Sequence, residues 1–298
     1  MGASPVSATR RPPPIERTRT VFGLPWHIIL PTLLGSLLVG VICSSVGIFV
    51  VRMNLSSLGF AMSHAAFAGA ALGLMLARFD PIWSALLFAV AIAVILGPMA
   101  DASRLKADTI VGATFPLTMA LGLIFIHKAP SSGIGSGALS LLWGSVLGVT
   151  LSQVLILAVV AVALVVVLFL FGKEFFALLL DRRLATASGL NARRAYYALL
   201  FLVAVVVAVS LRVTGGLLIY ALMVLPASAA FQWAYDIKKI LLIAPLLGIA
   251  SSLLGFVLSL GADLPIGASI ALACSAVFFG SILVSPKRRR RQKDASPS

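Results

Sequence analysis

Carboxylates are scarce in this chain. Nine Asp and Glu residues are spread over 298 positions, and none lies in the interior of a long apolar run. They are Glu16, Asp80, Asp101, Asp108, Glu174, Asp181, Asp236, Asp263 and Asp294. A proton-coupled carrier normally keeps a carboxylate inside its bundle, so that mechanism loses ground. Intramembrane hydrolysis is served no better, because there is no H-E-x-x-H and no acidic pair in an apolar stretch. A G-x-x-x-x-G-K-[ST] phosphate loop is also missing; Gly172–Lys173 is followed by Glu174. If ATP drives this protein, a separate subunit hydrolyses it. Two cysteines, Cys43 and Cys274, both fall in apolar runs and give no disulfide framework. Residues 1–25 carry Pro12, Pro13, Pro14 and four arginines but no apolar h-region, so no signal peptide is read there.

What the chain has in abundance is apolar length. Hydrophobic residues make up 60% and charged residues 11%, with mean hydropathy +1.10. A soluble domain carries about 25% charged residues. The expected fold is therefore all-α, a polytopic membrane bundle of eight or nine transmembrane helices. A polar tail (1–25) precedes one membrane domain (26–285), and a basic tail (286–298) follows it. The spans fall at about 26–51, 56–78, 81–99, 108–127, 148–171, 195–212, 214–233, 239–260 and 265–285, each long enough or nearly so for a bilayer. Between the fourth and fifth, a Gly- and Ser-rich stretch reads as a link followed by a short re-entrant or interfacial helix. The longest polar connection, 172–194, alternates apolar and charged residues at helical spacing and reads as a surface helix.

The net charge of +14 follows a topology pattern. Of 23 Lys and Arg, 16 lie in the odd-numbered connections and the C-terminal tail, and 3 in the even-numbered connections. By the positive-inside rule, 172–194 and the tail face the cytoplasm. Nine spans then put the N-terminal tail outside despite its four arginines, a conflict that one span fewer would remove. Six basic residues in PKRRRRQK follow the last span directly, which fits anionic membrane lipid better than nucleic acid.

Against this background His64 stands out. It lies well inside LSSLGFAMSHAAFAGAALGLMLA, among Ser63, Ala65, Ala66, Ala68 and Gly69. Gly69 and Gly73 form a small-xxx-small pair that lets helix backbones approach closely. An ionisable group in such a run is either a helix–helix clamp or part of a substrate path, and the second reading is favoured. His27, beside Trp26, and His127, beside Lys128, sit at span ends and read as interfacial.

The segment DRRLATASGLNARR resembles the coupling segment of permease subunits from metal-ion ABC importers of the zinc, manganese and iron type. Four further stretches support the likeness in collinear order. They are IFVVRMNLSSLGFAMSHAAFAGAALGLML, KADTIVGATFPLTMALGLIFI, GGLLIYALMVLPASAA and ADLPIGASIALACSAVFF, so the resemblance runs from about residue 48 to 279.

The resemblance implies a non-enzymatic transport subunit that binds no cofactor of its own. It would pair with a second copy, with cytoplasmic ATP-binding subunits and with an extracytoplasmic metal-binding protein, in the cell membrane. Substrate-path residues would be His64, Phe60, Ser63, Pro226 and Ser228, with His64 as the metal ligand. ATPase contacts would be Leu184, Ala185 and Gly189, with Asp181 and Arg182 fixing register. One position departs from the family pattern. An aspartate usually stands four residues before the histidine, and the pair is implicated in transient metal binding; here that residue is Phe60. Ligand preference alone then favours Zn²⁺ over Mn²⁺, which prefers oxygen. A metal chelate or small organic substrate is the alternative that Phe60 permits.

Overall fold

The computed structural model describes residues 20–21, 24–76, 80–103, 107–130, 149–180, 186, 189–285 and 287. A two-residue antiparallel pair, Thr20–Val21 with Leu24–Pro25, precedes the first helix. The other described elements are helices: α1 (Trp26–Arg52), α2 (Ser56–Leu76), α3 (Pro81–Ser103), α4 (Ala107–Lys128), α5 (Leu151–Leu170), α6 (Gly172–Leu180), α7 (Ala192–Thr214), α8 (Gly216–Trp233), α9 (Ile237–Ala262) and α10 (Ile266–Val284). All nine expected spans appear as helices, with the short α6 as a tenth. Seven are long and apolar enough to cross a membrane, while α3 and α8 hold shorter apolar stretches, Pro81–Ile95 and Leu218–Trp233. The stretch expected to be re-entrant lies outside the described residues.

Several polar residues between the apolar runs work at helix ends, where backbone N–H groups lack partners. Asp80 accepts from the Ile82 N–H at 2.9 Å and opens α3. Asn191 accepts from Arg194 N–H at 3.1 Å and opens α7, and Asp236 does the same for α9 from Lys238 N–H at 3.0 Å. Thr150 and Gln153 form a reciprocal capping box at α5. Asp263, in the left-handed conformation at φ 54°, ends α9 before Pro265 introduces α10. Scarce carboxylates thus serve as punctuation.

Two groups of helices pack through α7. One is α2 with α3 and α4; the other is α1 with α8, α9 and α10. Small residues set the closest approaches. A methyl group at Gly69 would run into the Ser84 carbonyl, and one at Gly73 would lie 2.9 Å from the Pro81 Cα, so α2 and α3 meet along the predicted glycine pair. Gly40 of α1 and Gly248 of α9 face each other in the same way. Helix α5 lies outermost, packed on α1 and exposing Leu155, Val159, Val162 and Phe169.

The polar connection 172–194 does begin as a surface helix. Phe175, Leu178 and Leu179 of α6 are buried against Phe49 of α1, Ala192 and Leu199 of α7, and Ala227 and Ala230 of α8. Phe49 and Phe175 meet edge to face, centroids 5.9 Å apart. This cluster brings the end of α1 and the ends of α6 and α8 to one end of the bundle.

Candidate functional site

Helix α2 carries Phe60, Ser63, His64 and Phe67 into the middle of the bundle. His64 is 1% exposed. Its ring lies edge-on to Phe60, centroids 4.4 Å apart, and to Phe115 of α4 at 4.6 Å. Phe60 also touches Phe115 and Tyr220 of α8, each at 5.1 Å. The histidine therefore sits in an aromatic box built by three helices.

The start of α8 explains how Tyr220 reaches this depth. Gly215, at φ 77°, separates α7 from α8, a conformation that favours glycine. The next residue, Gly216, lies beside the Ser63 carbonyl and Phe67. Helix α8 thus begins within the protein, roughly 13 Å of helix rise short of the far end of α2. One turn later on the same face, Tyr220 meets Phe60.

Polar bookkeeping separates the two neighbours on α2. The Ser63 hydroxyl donates to the Gly59 carbonyl at 2.9 Å, so its donor is used within the helix. Neither ring nitrogen of His64 has a hydrogen-bond partner among the described residues. A buried polar group left unpaired costs about 1–3 kcal/mol. A neutral imidazole nitrogen held this way is a ligand for first-row transition metals, and the surrounding ring faces attract cations. No group of three or more His, Cys, Asp or Glu comes together among the described residues, so one fixed nitrogen suits a passing ion better than a resident one.

The other expected site residues lie elsewhere. Pro226 is buried in α8, about 9 Å of helix rise beyond Tyr220. Its neighbour Ala227 belongs to the buried cluster that holds Phe49 and Phe175, and Ser228 is half-buried. The structure brings Phe60, Ser63 and His64 together and does not bring Pro226 or Ser228 to them. Asp181, Arg182, Leu184 and Ala185 lie outside the described residues. Gly189 is exposed at φ 81°, its N–H donating to the Thr186 carbonyl at 3.1 Å. Phe115 and Tyr220 are the additions. Each stands in a stretch that resembles the family, but an aromatic in an apolar helix carries no signal of its partners.

Comparison with known proteins agrees with this architecture. The chain is 31% identical over 256 residues to the manganese transport system membrane protein MntC of Listeria innocua, covering 86% of this chain and 90% of that one. It is 29% identical over 264 residues to the manganese import system permease protein ScaB of Streptococcus gordonii, covering 89% and 94%. Its fold matches the solved structure of PsaBC from Streptococcus pneumoniae in complex with Fab, with TM-score 0.82, 28% identity and coverage of 90% and 96%. An inward-facing conformation of a putative metal-chelate type ABC transporter matches with TM-score 0.69 at 18% identity over 85% of each chain, a likeness of fold alone. The model of the ABC 3 transport family matches residues 26–285, and the chain belongs to that family as a multi-pass metal ABC permease.

Proposed function

We propose that this chain is the membrane-spanning permease of an ATP-driven importer for a free divalent metal ion, with Mn²⁺ as its substrate. The observation that carries the reading is His64, buried mid-bundle inside the Phe60–Phe115–Tyr220 box, with neither ring nitrogen partnered among the described residues. The box closes the path in this conformation. Separation of α8 from α2 would draw Tyr220 off Phe60 and open the imidazole to the ion. The ion would exchange part of its water for one nitrogen, then leave as the rings close again. A single ligand holds weakly, which is what conduction needs.

Manganese is supported by the manganese systems to which the relatives belong. Their names speak against an organic substrate. Zinc is the second reading, favoured by one observation: a neutral nitrogen with no group of carboxylates, histidines or cysteines gathered around it among the described residues suits Zn²⁺ better than Mn²⁺. Two copies would share the path, with cytoplasmic ATPase subunits gripping 172–194. A metal-delivering protein would dock at the opposite face of the cell membrane. The C-terminal tail would then lie in the cytoplasm.

The test is uptake of Mn²⁺ and Zn²⁺ by proteoliposomes containing this chain with its ATPase and binding protein, comparing wild type with His64→Ala. ATP-dependent Mn²⁺ uptake that is lost in the variant, with assembly intact, supports substrate and site together. Equal uptake in both reduces His64 to packing. Zinc uptake alone selects the second reading.

A further inference from the structure

At the end of the bundle where α1, α6 and α8 stop and α9 begins, a cavity of about 450 Å³ opens to the surface. It shares no lining residue with the aromatic box around His64. Arg52, the last residue of α1, and Lys287, just beyond α10, both line it. Leu179 of α6 contributes an apolar wall. The Lys287 ammonium is held in place: it donates to the Phe231 carbonyl near the end of α8 and sits 4.0 Å from the centroid of the Tyr235 ring.

Two cations therefore face one cavity. No ion pair joins Arg52 to a carboxylate among the described residues. Asp236 also lines the cavity, but one of its oxygens already accepts from the Lys238 N–H at the start of α9. Burial first, and then the positive charge of Arg52, hold Lys287 below the usual lysine range. An anion seated between the two would relieve that repulsion, and a tetrahedral oxyanion offers enough acceptors for a guanidinium fork and an ammonium together.

We propose that this cavity binds a phosphate group, and that its position fits the headgroup of an acidic phospholipid. Its apolar wall adjoins the ends of bilayer-length helices, and its cations sit at the rim where headgroups lie. An occupant would tie α1, which leads through residues 53–55 into the His64 helix, to α6 at the start of the coupling segment and to the root of the basic tail. The lipid is thus a positioning ligand for the end of the bundle where the ATPase is proposed to act.

The full chain, purified in zwitterionic detergent with phosphatidylcholine, is titrated with short-chain phosphatidylglycerol, short-chain phosphatidylcholine or inorganic phosphate. Thermal unfolding and native mass spectrometry are the readouts. The expected result is a saturable rise in Tm of about 3 °C or more with phosphatidylglycerol and none with phosphatidylcholine. Arg52→Gln with Lys287→Gln abolishes it, and each single change weakens apparent affinity roughly tenfold. The single variants keep the test usable if the double variant does not fold. Lys238→Gln with Lys239→Gln removes two exposed cations outside the cavity and leaves the rise intact. Equal loss in that control, or full retention in the Arg52 and Lys287 variants, overturns the proposal. If inorganic phosphate gives the same shift through the same two residues, the phosphate site stands and its lipid source is overturned.

Discussion

His64 is an expensive residue where it stands, and that expense is measurable. Its buried ring nitrogens lack partners among the described residues, a penalty of about 1–3 kcal/mol for each such group. Leucine fills a similar volume without that penalty. His64→Leu is therefore expected to raise the Tm of the purified chain while abolishing metal uptake; a lower Tm with normal uptake would make the histidine a packing residue. Phe60 carries the complementary prediction. Phe60→Asp places a carboxylate one helical turn before the imidazole, on the same face, and supplies the oxygen that Mn²⁺ prefers. The ratio of Mn²⁺ to Zn²⁺ uptake at equal concentrations should rise in that variant, and an unchanged ratio would separate this position from selectivity. Stability should fall, because the ring contacts to Phe115 and Tyr220 contribute about 0.5–1.5 kcal/mol each beyond their buried area. The histidine was legible in the sequence because an ionisable group in an apolar run is rare. Phe115 and Tyr220 were not, since a ring facing a site, a core or a lipid looks the same in one dimension.

At the scale of the helices, close approach rather than propensity holds the bundle together, and glycines report it selectively. Gly69 has no room for a side chain, as a methyl group there would meet backbone atoms of Ser84. Gly280 in α10 has no heavy atom of the described residues within 4 Å of where a methyl group would sit. Gly69→Val should therefore part α2 from α3 and sharply lower Tm and yield. Gly280→Ala should be neutral or stabilising by up to about 1 kcal/mol, the usual helical preference for alanine. Equal effects would mean that the α2–α3 contact is not the tight one. The helices at the nine expected positions and the Gly69–Gly73 face were readable because apolar length and small-residue spacing act locally. The buried start of α8 was hidden. Gly215 and Gly216 look like an ordinary turn between two spans, and only the packing of Gly216 on Ser63 and Phe67 reveals that α8 begins inside the protein. The partners of α6 were hidden for the same reason, since a surface helix pattern shows which face is apolar but not what covers it.

For the whole molecule, the geometry reduces the choice of cytoplasmic end to a single binary test. Arg52, Phe176, Phe231, Ile237 and Lys287 line one cavity, so the first, fifth and seventh connections and the C-terminal tail share one end. Helix α1 runs unbroken for 27 residues, about 40 Å, which puts Trp26 at the opposite end. The arginines of the N-terminal tail pull against that arrangement, but the positive-inside rule weighs all loops, and 16 basic residues lie in the odd-numbered connections and the C-terminal tail. Both native cysteines are fully buried, so a membrane-impermeant maleimide should find little background. A cysteine placed in each tail then decides the matter: Ser7→Cys should label in intact cells, and Ser296→Cys only after the membrane is opened. Labelling of both from the same side would require an even number of crossings and would contradict the continuous α1. Labelling in the reverse sense would keep the fold and invert the protein, placing 172–194, the proposed coupling segment, where no ATP-hydrolysing partner could reach it.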